Sequence, residues 1–273
     1  MKTSVVIPAT NGNFGYLNCI LRHYEDGSVR PDEVVISISN AHLLDGAEID
    51  KLENKFGKSF IVNILRHDQK MIQGPNRDAA TMEATGDIII SNDADDMPHP
   101  RRVEIIQGMF ERHGIVHLNH AYQKIYNRTR PTCKAVVHKN NEFNEVAQIQ
   151  SIKGDEVFKH HFPNCNIPNQ EERKKALQSK TRPNPHILGF DKPYGGGLQW
   201  EIHAGCPTFR RDVFQTLRWR NTEEVAWDYD FCMDVLYYFN KSMIIDTPLI
   251  WYNLLPTRRD HADPSDLQAL YKE

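Results

Sequence analysis

The chain has 273 residues, a quarter of them charged, with a formal net charge of -3. That length supports a substantial core, and the near-neutral balance excludes a generally basic nucleic-acid binder. No apolar run approaches the ~20 residues that a membrane-spanning helix needs.

The chain opens with a strand. Ser4-Val5-Val6-Ile7-Pro8 is a short, continuous apolar run, too short for the hydrophobic core of a leader, and the expected setting is cytoplasmic. Phe14 to Tyr24 carries helical spacing, Glu33 to Ser39 is a second strand, and Ile49 to Phe56 a short helix. Phe60 to Leu65 is a third strand, Asn76 to Ala84 a helix, and Asp87 to Ser91 a fourth strand. Val103, Ile106 and Phe110 then recur at helical spacing behind Pro100. Short β-branched strands alternating with helices predict βαβ units and a mainly parallel sheet.

From Tyr122 to about Gln199 the chain is polar and proline-containing, with the charged run Glu171-Glu172-Arg173-Lys174-Lys175. Only two possible strands stand out there, Gln123 to Tyr126 and Lys134 to His138. Beyond Gly195-Gly196-Gly197, helices are predicted near Arg211, over Tyr229 to Phe239 and over Asp266 to Tyr271, with a strand over Ser242 to Ile245. Residues 1–120 are therefore read as a nucleotide-binding half, and 121–273 as an acceptor-binding, loop-rich half of the same domain. The five cysteines are scattered without a Cys-x-x-Cys pair, so neither a zinc site nor a disulfide framework is expected. Asn127-Arg128-Thr129 and Asn240-Lys241-Ser242 match the glycosylation pattern by accident of composition.

The segment with the most chemistry is Ser91-Asn92-Asp93-Ala94-Asp95-Asp96, directly behind Ile88-Ile89-Ile90. A buried strand that ends in spaced carboxylates can hold Mg2+ or Mn2+, which favour oxygen donors completed by substrate phosphate and water. Ligands of open α/β sheets bind at that carboxyl edge. The competing reading is a polar turn whose aspartates cap the next helix. An aspartyl-phosphatase loop is disfavoured, because Met97 stands where Thr or Val is usual and the motif follows the fourth strand instead of the first.

Taken in order, Ser4-Val5-Val6-Ile7-Pro8, Gly74-Pro75-Asn76-Arg77-Asp78-Ala79-Ala80 and Ala84-Thr85-Gly86-Asp87 leading into Asp93-Ala94-Asp95-Asp96 resemble family 2 glycosyltransferases of the GT-A fold. The likeness spans roughly residues 3 to 103. It resumes at Phe209-Arg210-Arg211-Asp212-Val213-Phe214 and at Trp227-Asp228-Tyr229-Asp230-Phe231. The resemblance implies a Rossmann-like α/β half with a mixed, mainly parallel sheet and flanking helices, and a loop-rich acceptor region. It also implies metal-dependent, inverting, nonprocessive transfer of one sugar from a nucleoside-diphosphate sugar to a glycan, lipid-linked saccharide or protein acceptor.

On that resemblance Asp228 is the general base, with capping of the following helix as its alternative. Asp95 and Asp93 hold Mn2+ or Mg2+ against the diphosphate, with His261 as a further metal or phosphate contact or an ordinary loop histidine. Pro8, Thr10, Asn11, Arg77, Asp93 and Ala94 line the donor, although Arg77 has a helix-face ion pair as its plainer role. The acceptor side takes Arg210, Trp227 and His203.

The chain departs from the family's pattern in two places. Ser37-Ile38-Ser39-Asn40 stands where relatives carry an acidic base-contact motif, leaving Ser39 as the base contact, and Trp227 replaces a Glu before the presumed base. Gln215-Thr216-Leu217-Arg218-Trp219 fits the signature of processive synthases but precedes Asp228, so it is rejected as such. Two other classes stay in view. One is a degenerate relative that binds without transfer. The other is a metal-dependent nucleotidyltransferase, which would need a basic residue in Thr10-Asn11-Gly12-Asn13-Phe14-Gly15.

Overall fold

A computed structural model describes residues 1–125, 149, 151–183, 205–219 and 227–253, without the side chains of 123–125, 227 and 253. The expected strand over 134–138, the glycine run at 195–197 and the closing helix over 266–271 lie outside these residues.

Four strands form the parallel half of one mixed sheet: β1 (Thr3–Thr10), β2 (Glu33–Ser39), β3 (Ile61–His67) and β4 (Ile88–Ser91). The helices between and after them are α1 (Phe14–Glu25), α2 (Gly46–Phe56), α3 (Gln73–Glu83) and α4 (Arg102–His113). The later strands are β5 (Met97–Pro98), β6 (His117–Ile125), β7 (Ser151–Lys153), β8 (Thr208–Arg210) and β9 (Ser242–Asn253). The strand order is β3-β2-β1-β4-β8-β6-β9-β5, with β7 paired to β9. Strand β8 runs antiparallel between β4 and β6, whereas β6 and β9 are parallel to each other. One sheet thus takes strands from both halves of the chain.

The strand pattern explains the layering. Val5, Ile7, Val34, Ile36, Ile88 and Ile90 face one way and meet α1, α2 and α4 through Leu17, Leu21, Phe56, Ile106 and Phe110. Their neighbours Val6, Val35 and Ile89 face the other way, with Ala80 of α3, Phe158, Phe209, Phe231 and Leu236. Successive strand residues alternate in direction, so a strand buried on both faces has to be apolar throughout.

The polar middle is more regular than its composition suggests. It contains α5 (Asp155–His161) and α6 (Gln170–Ser179), and α6 opens with an Asn169/Glu172 capping box. The predicted strand over 123–126 meets, as far as residue 125, the end of β6, which starts earlier, at His117. The helix expected near Arg211 is a short 3-10 turn over Arg211–Gln215. Helix α7 covers Trp227–Phe239, and β9 runs well past the predicted Ile245. Cys19 on α1 is disulfide-bonded, a bond that the sequence reading, which expected no disulfide framework, did not foresee. No helix among the described residues is long and apolar enough to cross a membrane.

Candidate functional site

Because β1 to β4 are parallel, their ends at Thr10, Ser39, His67 and Ser91 lie on one edge of the sheet. Asn76 on α3 ties this edge together. Its amide donates to the Ala9 carbonyl at 2.9 Å and accepts from Ser37 Oγ at 2.6 Å. After β1 the chain closes on itself: the Thr10 N–H donates to Asn13 Oδ1 at 2.6 Å, and Gly12 N–H to Thr10 Oγ1 at 3.2 Å. Pro8 is buried in register with Ser37, while Thr10 and Asn11 remain half-exposed. Ser39 is fully buried, and its hydroxyl accepts from the Met71 N–H at 2.8 Å and reaches the Gln69 carbonyl at 3.4 Å. That hydroxyl fastens the loop between β3 and α3.

The loop after β4 is pinned from behind. Asn92 Nδ2 donates to the carbonyls of Asp93 at 2.7 Å and Asp96 at 3.0 Å, closing the turn. The Arg102 guanidinium, fully buried, donates to Asn92 Oδ1 at 2.5 Å, the Ser91 carbonyl at 2.6 Å, the Gly205 carbonyl at 2.6 Å and Tyr24 Oη at 3.0 Å. Between Ser91 and His99, Asp95 alone keeps a half-exposed surface, whereas Ala94 and Asp96 are buried. Gly205 closes the other side: a Cβ there would lie 3.1 Å from Asp96 Oδ2 and 3.3 Å from the Asp93 nitrogen.

Asp93 joins this loop to α3. Arg77, fully buried, donates through Nη2 to Asp93 Oδ1, and Gln73 Nε2 reaches the same oxygen at 3.2 Å. Under the guanidinium lies the Trp219 ring, 5.6 Å from its centroid. Trp219 is held by its indole N–H on Thr81 Oγ1 at 3.1 Å, and Arg218 grips Asp78 with two nitrogens. The Gln215-to-Trp219 segment therefore braces α3 and floors Arg77.

Asp228, in the first turn of α7, faces the same cluster. Burial raises its pKa above the ordinary carboxylate value, Asp93 adds to the rise, and the Tyr229 N–H and Arg77 oppose it. Two buried thiols complete the wall. Cys206 and Cys232 are held well above their usual pKa by burial, with Asp228 contributing to both, so neither supplies a thiolate nucleophile.

The structure thus gathers Asp93, Asp228 and Arg77 into one neighbourhood, with Asp95 on the same loop. Arg210 is not gathered with them: it pairs with Ile88 at the opposite end of β4 and forms an exposed ion pair with Asp212 at 3.2 Å. Trp227 is placed only by its backbone, at the start of α7; His203 and His261 lie outside the described residues. The sequence reading passed over Arg102, although it stands in an apolar stripe with Ile105, Ile106 and Met109, where a charge signals a buried task. Tyr24, Asn92 and Gly205 left no comparable signal.

Among the described residues no group of three or more His, Cys, Asp or Glu side chains could hold a metal ion. The donors present are nevertheless of the right kind. A half-exposed Asp95 carboxylate beside Asp93 suits a hard divalent cation that takes its remaining oxygens from phosphate and water. The donor set fits.

The model for "Glycosyl transferase family 2" matches residues 4–164. No curated protein matches the chain. Among solved structures, TarS 1–349 of S. aureus in complex with UDP-GlcNAc is similar at 14% identity and TM-score 0.57, over 99% of this chain and 64% of that one. The mannosyltransferase PcManGT from Pyrobaculum calidifontis, in complex with GDP-Man and Mn2+, is similar at 13% identity and TM-score 0.56, over 95% and 58%. Glucosyl-3-phosphoglycerate synthase from Mycobacterium tuberculosis, with Mn2+, UDP and glucosyl-3-phosphoglycerate, reaches 14% identity and TM-score 0.50, over 98% and 75%. The present chain spans less than two thirds of TarS 1–349. At such identities the likeness is one of fold.

Proposed function

The chain belongs to glycosyl transferase family 2, and from that premise we propose that it moves one sugar from a nucleoside-diphosphate sugar to an acceptor hydroxyl, with inversion. The observation that carries this reading is the meeting of Asp228 with Asp93 and Arg77, residues remote in sequence, at the carboxyl edge of the sheet. In this reading Pro8, Thr10, Asn11 and Ala94 border the donor, and Arg77 holds Asp93 in place beside the diphosphate. Asp95, with Asp93, would hold Mn2+ or Mg2+, which neutralises charge on the departing diphosphate. The fold neighbours with UDP-GlcNAc, or with GDP-Man and Mn2+, support a nucleotide-sugar and a divalent cation here.

Asp228 takes the acceptor hydroxyl's proton while the new bond to the anomeric carbon forms and the bond to phosphate breaks. A carboxylate whose pKa is raised by burial is a stronger base than an exposed one, which is the direction the task requires. The acceptor class stays open among glycan, lipid-linked saccharide and protein.

Thermal stabilisation by UDP, GDP, CDP and dTDP with and without Mn2+ tests the donor half. One nucleotide is expected to stabilise the protein in a Mn2+-dependent way that Asp95→Ala abolishes. With the matching sugar donor, Asp228→Asn is expected to lower turnover by about 10²–10⁴-fold while nucleotide binding persists. Full turnover in Asp228→Asn would remove the base assignment. Tight binding without turnover in the unmodified protein would favour a binding module.

A further inference from the structure

We propose that Arg102 is a positioning residue that sets the divalent-cation affinity of the Asp93–Asp96 loop. The inference rests on the donor-site reading above. Arg102 contacts neither Asp95 nor Asp93 by any hydrogen bond; it acts on the backbone that carries them. Its nitrogens hold the Ser91 carbonyl, where β4 ends, and Asn92 Oδ1, whose own amide closes the turn on the Asp93 and Asp96 carbonyls. A further bond holds the Gly205 carbonyl at 2.6 Å, and Gly205 itself lies against Asp96 and the Asp93 nitrogen. Tyr24 of α1 completes the set, contacting Arg102 at 3.0 Å and Asn92 Oδ1 at 2.9 Å.

Two physical consequences follow. First, Mg2+ and Mn2+ tolerate little deviation from octahedral geometry, so a carboxylate ligand on a turn is useful only when the turn has one conformation. The guanidinium is planar and rigid, and one such group ties together three separate stretches of chain here: the end of β4, Gly205 and, through Tyr24, α1. Second, all four partners of Arg102 are neutral oxygens, and its charge lies behind a loop bearing Asp93, Asp95 and Asp96. Cys206 senses both that cation and the carboxylates of Asp96, Asp93 and Asp228, which places them in one electrostatic neighbourhood. The Arg102 charge thus offsets part of the mutual repulsion among these carboxylates. Lysine keeps the charge but not the fork, which separates the two contributions.

The test titrates Mn2+ into the 273-residue chain with UDP or GDP at fixed concentration and reads the Mn2+ midpoint of the thermal shift. Arg102→Met is expected to raise that midpoint by about tenfold or more, Arg102→Lys by less, and Tyr24→Phe least. The shift given by the same nucleotide at high concentration in EDTA is expected to stay unchanged, which a general loss of structure would not allow. Tyr24→Phe keeps the test open if Arg102→Met does not fold. Unaltered Mn2+ midpoints in the Arg102→Lys and Tyr24→Phe proteins overturn the inference. A nucleotide response in the unmodified protein that Mn2+ does not strengthen overturns the donor-site reading itself, and the inference with it.

Discussion

Arg77 and Asp93 allow a quantitative test of how the site is held. Both side chains are buried, at 0% and 6% exposure, and Trp219 covers the guanidinium face. Arg77→Met removes the cation but keeps much of the volume, leaving Asp93 with Gln73 as its remaining named side-chain donor. Breaking a buried pair on one side costs about 3–5 kcal/mol, because the other charge stays desolvated. At roughly 2–4 °C per kcal/mol, that predicts a fall in melting temperature of about 6–20 °C. Arg77→Met/Asp93→Asn removes the stranded charge and is expected to recover about 2 kcal/mol or more of the loss. The part owed to the contact with Trp219, about 0.5–2 kcal/mol, stays lost. Urea unfolding of the parent, the two single variants and the double variant closes the cycle. A double variant as unstable as the sum of the singles would refute the argument, since the pair would then not be coupled.

Two further outcomes are expected. His99 and His117 are buried, and burial is the main cause holding their pKa values near about 4 and about 3, against 6.5 for a free imidazole. Between pH 7 and 5 the unfolded chain takes up protons that the folded one refuses, so stability falls with pH by about 2 kcal/mol for each. Urea unfolding across that range should show the loss, and His117→Phe, stacked on Phe209, should remove about half of it; an unchanged slope would mean that His117 takes up its proton alike in the folded and unfolded chains. Gly86→Ala should destabilise by about 1–3 kcal/mol, because its Cβ would lie 2.4 Å from Ser4 Oγ and 2.8 Å from the Ser4 nitrogen. Gly108→Ala, with nothing within 4 Å, should instead stabilise α4 by about 0.5–1 kcal/mol, and equal melting shifts for the two would contradict the packing.

The parts of this fold legible in the sequence share a physical cause. Strands β1, β2 and β4 are buried on both faces, so their burial appears as uninterrupted apolar runs. The Thr85-Gly86 motif was read as part of a family pattern, and the structure supplies its reason. Thr85 and Gly86 donate their N–H groups to the buried Glu33 carboxylate, and Gly86 also to Ser4 Oγ, stitching the start of β4 to β1 and β2. Strand β8 was not legible, because three residues inserted antiparallel between β4 and β6 carry too little periodicity to announce a strand. Helix α6 was missed for another reason: Arg173 is its one buried residue, so it has no apolar stripe, and its capping box is the local signal. Arg210 rests on motif likeness alone, and strand register sets it beside Ile88, at the end of β4 away from Asp93.

The polar middle has a bearing on the site that its composition conceals. Asp228 can act on the cluster only if α7 keeps its rotation about its own axis, and the apolar contacts of Phe231, Cys232, Val235 and Leu236 are poorly directional. Two arginines from segment 151–183 supply the missing direction. Arg182 donates through Nε to Asp234 Oδ1 at 2.5 Å and through Nη2 to Asp230 Oδ1 at 2.8 Å, spanning one helical turn beyond Asp228. Arg173 donates through Nη1 to the carbonyl of Tyr237, near the end of the same helix. A helix rotated by one residue, about 100°, would carry both carboxylates away from Arg182 and leave that mostly buried cation without them. Residues with no place in the family's motifs therefore help fix the angle at which the proposed base meets Asp93 and Arg77, an effect of tertiary pairing that no local reading of 151–183 contains.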